Sequence, residues 1–342
     1  MPDRAVAYTL VPSPDHTMAG HPENAERFRH FPRIEQAPFA GRLTALPARR
    51  AADEELTTVH PAAYLAGLRQ AIAQAPAVID YAPTYVTRAS EEAAWEAAGA
   101  VLALTEAVAG GAARAAFALV RPPGHHATPV RAMGFCLLNN AALVARRAQA
   151  LGFRRVLIAD FDVHHGNGTQ DVFERDPEVL YLSTHQNGIY PGTGALHDTG
   201  DGPGLGSVVN LPLPAGAGDR AFAALTERLL VPLARRFEPD FIVVSAGYDA
   251  HWRDPLAGLQ LSAAGYHRLA DALVGLADEL CGGRIVLTLE GGYDPEALAG
   301  GVLASLAALC GAPAPPDDLG PAPRPEPEIA PLLEAAARLH AL

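Results

Sequence analysis

The sequence predicts an α/β protein with a central, mostly parallel β-sheet and helices on both faces. Short apolar runs alternate along the chain with segments of helical periodicity, and this alternation is typical of parallel βαβ architecture. Several apolar runs end abruptly in acids, histidines and glycines, as buried strands do when their carboxyl ends supply a ligand site. A large core is feasible because 49% of the 342 residues are hydrophobic and 19% are charged.

Six strands are predicted, each a short run of apolar residues that include β-branched ones. Most of them run directly into a polar cluster, so the segments that build the sheet also indicate where a site lies. In chain order the predicted strands are Ala5–Thr9, Ala116–Val120, Val156–Asp160, Val179–Ser183, Phe241–Ser245 and Ile285–Leu289.

Helices are predicted between these strands. Ser90 should cap an alanine-rich helix whose first turn carries acids, and Asp219 should cap a second helix that Pro232 disturbs. A third helix follows Ser262, where apolar residues recur at three- and four-residue steps and form one face. The residues of that face are Tyr266, Leu269, Leu273, Leu276 and Leu280.

The globular unit is predicted to comprise residues 1–311. Residues 312–342 begin with a stretch rich in proline and acids that cannot form a core of its own, and they end in a short helix from about Ala330. Within the globular unit, the long segment Val11–Phe31 is predicted to be a solvated loop, with a rim or a subunit contact as the alternatives.

Charge, hydropathy and cysteine content narrow the class of protein. The formal net charge of −12 argues against a nucleic-acid partner and is compatible with cationic substrates. No apolar run is long enough for a membrane span and the N-terminus lacks a secretory signal, so we expect a soluble protein in the cytoplasm. Cys136, Cys281 and Cys310 lack paired spacing and are expected to be buried small hydrophobic residues. The oligomeric state is left open, with a homo-oligomer as one alternative.

The stretch from Val156 to Gly168 carries the strongest chemical signal. Side chains alternate along an extended strand, so Asp160, Asp162 and His164 should lie on one side of it. Two carboxylates and an imidazole suit a divalent metal better than a hydrophobic core, in which each buried charge would need a partner. Taken alone, this stretch could also be a polar, solvated loop.

Three further strand ends carry polar clusters. His125 and His126 follow two prolines and a glycine, and adjacent imidazoles on a stiff loop are candidates for an acid and a base. Asp249 follows another strand and could complete a metal site. Tyr293 comes after paired glycines, which let a loop bend back and present the phenol hydroxyl.

Together these stretches resemble the histone deacetylase family of the arginase–deacetylase superfamily. The resemblance covers nearly the whole globular unit and implies the arginase–deacetylase fold for the predicted sheet. Six motifs occur in the family's order, which makes a chance match improbable. They are Arg121–His126, Gly134–Cys136 followed by Asn139 and Asn140, Asp160–Thr169, Tyr190–Gly194, Ala246–Asp249 and Glu290–Tyr293.

The resemblance implies a catalytic zinc ion held by Asp162, His164 and Asp249, with iron as an alternative in the cell. Three protein ligands and one open position are what catalytic zinc sites use. The resemblance also implies that Asp160 orients His125 from behind. A structural monovalent cation, K⁺ or Na⁺, is implied as well, and its ligands would come from Asp160, Asp162, His164 and Ser183.

By the same resemblance, His126 is the general base that activates the attacking water, and His125 supports the developing charge. Tyr293 would donate a hydrogen bond to the amide oxygen as it becomes an oxyanion. Gly134 and Phe135 would line a narrow channel for an acyl-lysine side chain.

Two stretches depart from parts of the family. Asn167 stands where one branch has an aspartate behind the second histidine, which places the chain closer to the class II and bacterial deacetylases. A neutral partner should perturb the pKa of His126 less than a carboxylate would. The segment Ile79–Tyr85 matches only loosely where many relatives have an acid that grips the substrate. No chemistry is assigned to the polar residues near the rim motifs, which are His185, Tyr190 and His251.

The implied activity is hydrolysis of an N-acetyl-lysine amide, or a similar N-acyl amine, to acetate and free amine. An acetylpolyamine amidohydrolase is the alternative, but Leu256 offers no anion for a second ammonium group, which favours acyl-lysine. An arginase-type ureohydrolase would need a two-metal cluster with more carboxylates. A non-catalytic acyl-lysine binder would have lost part of the site. The expected partners are therefore acetyl-lysine peptides or proteins, or acetylated polyamines.

Overall fold

An eight-stranded parallel sheet forms the centre of the structure, a computed structural model that describes residues 5–342. A separate antiparallel pair, β3 and β4, lies outside that sheet. The strands are β1 (Val6–Val11), β2 (Leu43–Ala45), β3 (Ala77–Val78), β4 (Tyr85–Val86), β5 (Ala115–Val120), β6 (Val156–Asp160), β7 (Val179–Gln186), β8 (Val208–Leu213), β9 (Phe241–Ala246) and β10 (Ile285–Leu289).

Helices cover both faces of the sheet and bury its apolar side chains in two clusters. On one face lie α3 to α5, and on the other lie α7 to α11. In chain order the helices are α1 (Arg33–Gln36), α2 (Asp53–Leu56), α3 (Ala62–Ala73), α4 (Ser90–Ala109), α5 (Asn140–Ala150), α6 (Asn167–Phe173), α7 (Asp219–Leu225), α8 (Val231–Phe237), α9 (Ala263–Leu280), α10 (Pro295–Leu309) and α11 (Ala330–Leu339). The predicted α/β class is therefore confirmed.

All six predicted strands form, and β6 and β10 have the predicted boundaries. The sequence missed β2 and β8, which occupy the two edges of the sheet. Both have weak strand signals, since β2 has three residues and β8 contains Pro212, a residue that sheets tolerate at an edge because it donates no hydrogen bond.

The strand order places four functional segments side by side. The sheet runs β2-β1-β5-β10-β9-β6-β7-β8, so β5, β10, β9 and β6 are consecutive neighbours although they are far apart in the chain. Because all their pairings are parallel, the carboxyl ends of these four strands lie next to one another at the same end of the strands. Open α/β sheets bind ligands at the carboxyl ends of their strands.

Two of the predicted helix caps are wrong. Helix α4 begins at Ser90 itself, whose hydroxyl accepts a hydrogen bond from the Thr87 N–H at 2.7 Å instead of capping the helix. Asp219 is the first residue of α7, and its carboxylate accepts hydrogen bonds from the N–H and hydroxyl of Ser262. The disturbance expected near Pro232 is present as a π-helical turn over Thr226–Leu230.

The C-terminal segment contributes to the fold through two contacts. Glu326 accepts hydrogen bonds from the backbone N–H groups of Gly218, Arg220 and Ala221, and so caps α7 from more than a hundred residues away. The predicted terminal helix forms as α11, and it buries Leu333 and Ala336 in the core beside β8 and the π-helical turn Thr226–Leu230. The three cysteines are free and buried, as predicted. Within the described residues, no helix is both long and apolar enough to span a bilayer.

Candidate active site

Three side chains from two neighbouring strand ends form a cluster with the character of a metal site. They are Asp162 and His164, which follow β6, and Asp249, which follows β9. Their ligand atoms all lie within 4.8 Å of one another. His164 Nδ1 lies 3.2 Å from both Asp162 Oδ1 and Asp249 Oδ2. The sequence-predicted metal ligands are therefore brought together, and alternation along the extended chain puts Val163, between the first two, into the core.

Backbone groups hold these two carboxylates in place from behind. Asp249 Oδ1 accepts the Val163 N–H at 3.0 Å, and Asp162 Oδ2 accepts the Gly291 N–H at 2.8 Å. Gly247 and Gly291 permit this approach, because a Cβ at either position would come within about 2 Å of a carboxylate oxygen. The loops after three neighbouring strands, β6, β9 and β10, thus form a cradle around the two acids.

The cluster fits a divalent cation. Asp249 Oδ2 is buried and accepts no hydrogen bond within the described residues, although an orphaned carboxylate oxygen is costly to bury. Two buried carboxylates so close together also need a positive partner between them. One imidazole nitrogen and two carboxylate oxygens form a donor set that zinc uses in catalytic sites.

His125 is oriented by the last acid of β6. Its Nδ1 lies 3.1 Å from Asp160 Oδ2, so the Nδ1–H donates to that carboxylate, and its Nε2 lies 3.7 Å from Asp162 Oδ1. The same Asp160 oxygen accepts the Tyr181 hydroxyl at 3.0 Å. Burial opposes a charge on His125, but Asp162 and Asp160 outweigh burial and raise the pKa of His125 to about 10.

His126 is held in the opposite protonation state. Its Nδ1 lies 2.8 Å from Asn167 Oδ1, which can only accept, so the proton sits on Nδ1 and the Nε2 lone pair is free. Burial, followed by the neighbouring His125 and His164, lowers the pKa of His126 well below its usual range. The two adjacent imidazoles are therefore a charged group and a neutral base, a separation typical of acid–base pairs.

Glu290 supports the histidine pair through the backbone, a role that sequence reasoning missed. Its carboxylate is fully buried and accepts the N–H groups of Gly124 and His125 at 2.6 and 3.0 Å, together with the Ser245 hydroxyl at 3.1 Å. In the sequence, Glu290 stands alone between a predicted strand and two glycines, and nothing there indicates that its partners lie in the loop after β5. Only the adjacency of β5, β10 and β9 reveals it.

A cavity of about 210 Å³ leads from the surface to His126 and His164. Its walls are mainly apolar and aromatic, and Tyr293 lies at its side with Arg27 over the phenol ring at 4.9 Å. Among the described residues, no hydrogen-bond partner is present for the Tyr293 hydroxyl. The lining residues are Ala82, Pro83, His126, Gly134, Phe135, His164, Tyr190, Leu256 and Tyr293.

The predicted channel residues Gly134, Phe135 and Leu256 all line this cavity, and so does Tyr190, to which the sequence had assigned no role. Phe135 has a φ of 69°, a left-handed conformation that is strained for a bulky residue. The Thr84 hydroxyl holds it by accepting the Phe135 N–H at 2.9 Å. A tyrosine between Ile189 and a proline reads as an ordinary turn residue, so its packing against His126 at 5.0 Å was not evident.

The loosely matching segment Ile79–Tyr85 supports the wall of this cavity. The Asp80 side chain is buried, and it accepts hydrogen bonds from Arg131 Nη2 at 2.9 Å and from the Gly134 N–H at 3.4 Å. Asp80 therefore faces the protein interior and not an incoming substrate. Ser183 lies opposite Asp160 in the sheet register, and its hydroxyl hydrogen-bonds His185 Nδ1 at 2.9 Å.

The N-terminal segment Val11–Phe31 is not a solvated loop, as the sequence had suggested. Glu23, Arg27 and Arg121 are at most 1% exposed and form a buried ion cluster. Arg27 also donates hydrogen bonds to the carbonyl oxygens of Glu290 and Gly292. Burial would raise the pKa of Glu23, but Arg121 and Arg27 outweigh burial and lower that pKa to about 2. The segment thus braces the loop that carries Tyr293.

Comparison with known proteins agrees with this geometry. Residues 21–309 match the Histone deacetylase domain family. The chain is 43% identical over 330 residues to a chloroplastic protein named histone deacetylase 14 from Arabidopsis thaliana, covering 90% of this chain and 77% of that one. It is 38% identical over 278 residues to the histone deacetylase-like amidohydrolase of Pseudomonas aeruginosa, covering 80% and 73%. The crystal structure of the HDA15 HD domain superimposes with a TM-score of 0.89 at 34% identity, covering 98% of this chain and 94% of that one.

Proposed function

The chain belongs to the histone deacetylase family and is a deacetylase, and from that premise we propose that it hydrolyses N-acetyl-lysine amides with a bound zinc ion. One observation carries the proposal. The cluster of Asp162, His164 and Asp249 lies at the inner end of a mainly apolar cavity that also presents His126 and Tyr293. A base, a hydrogen-bond donor and a cation site then surround one point where an amide carbon could sit.

Each residue of the site has a distinct role in the proposed amide hydrolysis. Asp162, His164 and Asp249 would hold the zinc ion, which when bound supplies Lewis-acid polarisation of the amide carbonyl and of the attacking water. His126 Nε2 accepts a proton from that water and passes it to the departing amine. The Tyr293 hydroxyl donates a hydrogen bond to the carbonyl oxygen as negative charge develops there. His125, whose Nδ1–H donates to Asp160, supports the same developing charge.

An acyl-lysine substrate is supported by the walls of the cavity. Phe135, Pro83 and Leu256 present apolar surface to the alkyl stem of a lysine side chain. Leu256 is also 39% exposed at the mouth, where it offers no anion to a second ammonium group. A polyamine, which carries such a group, would lose that interaction.

The decisive experiment compares substrates on the purified enzyme loaded with one zinc ion per chain. We expect kcat/KM for acetyl-lysine peptides to exceed that for N-acetylputrescine and N-acetylspermidine by at least tenfold. A preference for the polyamines would reverse the assigned substrate class. Retention of two metal ions per chain, with turnover of guanidino substrates, would favour a ureohydrolase instead.

A further inference from the structure

Asp254 connects the mouth of the cavity to its interior. Its side chain is buried, with the residue 7% exposed, and each carboxylate oxygen accepts one backbone N–H. Oδ1 accepts that of Leu256 at 2.9 Å, and Oδ2 accepts that of Tyr293 at 2.7 Å. Both partners line the cavity. One side chain therefore fixes the backbone of two cavity residues that belong to different loops, one after β9 and one after β10.

An ion pair also joins the same two loops at the surface. Arg253 Nη2 lies 3.1 Å from Asp294 Oδ2. Asp294 Oδ1 in turn accepts the N–H groups of Glu296 and Ala297 and caps α10. The loop of Tyr293 is thus tied to a rigid helix on one side and to Asp254 on the other. Asp254 is the nearer tie, because it bonds to Tyr293 itself.

The position of the phenol depends on that backbone tie. The Tyr293 ring is packed against Arg27 and, edge to face, against Phe135 at 5.8 Å, while its backbone N–H donates to Asp254 Oδ2 at 2.7 Å. An oxyanion donor must be held within about 0.5 Å of its productive place, and a displacement of about 1 Å can cost on the order of a hundredfold in rate.

We propose that Asp254 is the positioning residue for Tyr293, and that it couples the mouth residue Leu256 to the placement of the phenol. The inference rests on the proposed deacetylase chemistry, since it concerns the group that stabilises the developing oxyanion.

The direct test is Asp254→Asn, compared with Asp317→Asn as the matched control. The amide at position 254 keeps one acceptor oxygen but turns an NH₂ group toward the second N–H. Asp317 also accepts two backbone N–H groups outside the cavity, those of Leu319 and Gly320 at 3.1 Å each, but both at Oδ1, so its amide variant loses the charge and can keep both bonds. We expect Asp254→Asn to lower kcat at least tenfold while KM changes less than threefold and one metal ion per chain is retained. Asp317→Asn should keep kcat/KM within about twofold of wild type.

A double mutant separates positioning from general damage. If Asp254 acts through the phenol, adding Asp254→Asn to Tyr293→Phe should lower kcat by less than twofold further, because the group to be positioned is gone. Loss of the same factor in both backgrounds would overturn the inference, and so would unchanged kcat in Asp254→Asn alone.

Amide hydrogen exchange on the wild-type, metal-loaded enzyme gives a readout that needs no variant. We expect the Tyr293 amide to be protected at least a hundredfold relative to an unstructured chain. Exchange at the unstructured rate would overturn the inference even if Asp254→Asn failed to fold. If instead the wild-type enzyme turned over neither acetyl-lysine peptides nor acetylpolyamines while the amide stayed protected, the proposed function would fail and the contact would stand.

Discussion

Asp249 and Tyr293 allow metal binding and catalysis to be separated by two small substitutions. In Asp249→Asn the oxygen can still accept the Val163 N–H, but an NH₂ group replaces the orphaned Oδ2 atom that faces His164. We expect this variant to lose its metal ion on dialysis and to lose activity with it. Tyr293→Phe removes only the hydroxyl, so it should retain one metal ion per chain and lose about a hundredfold in kcat.

Metal content after dialysis, measured beside kcat for both variants, checks the pair. Each variant controls the other, because one should fail in binding and the other in turnover. Full activity of Tyr293→Phe on acetyl-lysine peptides would remove the assigned oxyanion role. Full metal retention by Asp249→Asn would place the cation elsewhere.

Single residues were predictable where the signal was local. The two-residue period of an extended chain was enough to place Asp162 and His164 on one side and Val163 in the core. Tyr181 and Glu290 were not predicted, because each acts on a strand other than its own and their partners depend on strand order. Tyr190 was missed for a different reason, since a turn motif does not say which wall a ring will line.

Helix ends show the same division between local and distant causes. Ser262 caps α9 and Asn139 caps α5, because each side chain accepts a hydrogen bond from the backbone N–H three residues further along the chain. Both caps are therefore local. The N-terminus of α7 is capped instead by Glu326, and this left Asp219 free to bind Ser262. No pattern near Asp219 could have disclosed a partner in the C-terminal segment.

Replacing glycine by alanine should have opposite effects in the loop after β10 and within helix α9. Gly291 lies in the loop after β10, where a Cβ would come 2.0 Å from Asp249 Oδ2 and 2.7 Å from Asp162 Oδ2. We expect Gly291→Ala to displace a carboxylate and weaken metal binding at least tenfold. Gly275 lies exposed within α9 with nothing within 4 Å of an added Cβ, so Gly275→Ala should stabilise the protein by about 0.5–1 kcal/mol and leave turnover unchanged.

Metal affinity by competition with a chelator, together with urea unfolding, distinguishes the two glycine variants. Both variants gain the same methyl group, so the space around each glycine decides whether the substitution damages the protein or stabilises it. Wild-type metal affinity in Gly291→Ala would mean that the loop can move away without cost, and the cradle would then be adaptable and not fixed.

Over the whole molecule, the sequence predicted the parts of the site but not why they meet. Six motifs named the residues, and parallel strands were expected to share an edge. The order β5-β10-β9-β6 was not predictable, because strand order depends on how helices pack across both faces. The burial of Val11–Phe31 was missed for a related reason. Its charges looked suited to solvent, yet Glu23 is buried between two arginines, Arg27 of the same segment and Arg121 after the neighbouring strand β5.

Buried histidines should set the response of the whole fold to acid. His60 accepts the Asn139 N–H at its Nε2 and has Nδ1 3.2 Å from the Pro129 carbonyl oxygen, an arrangement that requires the neutral ring. Burial lowers the pKa of His60 to about 4, and burial likewise lowers the pKa of His16 to about 4. Both values lie below the 6.5 of an unfolded histidine, so the unfolded chain takes up these protons first as pH falls.

Stability from these two rings should therefore be complete above pH 6.5 and decline between pH 6.5 and 4, by about 3 kcal/mol each. The stability that Glu23 contributes is lost at lower pH, between pH 4.5 and about 2, because its pKa is lowered to about 2 in the folded protein. A domain has about 5–15 kcal/mol in total, so the two histidines should remove a large share of the stability before the Glu23 carboxylate is protonated. Urea unfolding at pH 7 and pH 5 measures the decline, and His60→Gln, whose amide oxygen can still accept the Asn139 N–H, should remove the share of His60. A free energy of unfolding that stayed constant over that interval would mean that both rings have the same pKa in the folded protein as in the unfolded chain, against the hydrogen bond that His60 accepts from the Asn139 N–H.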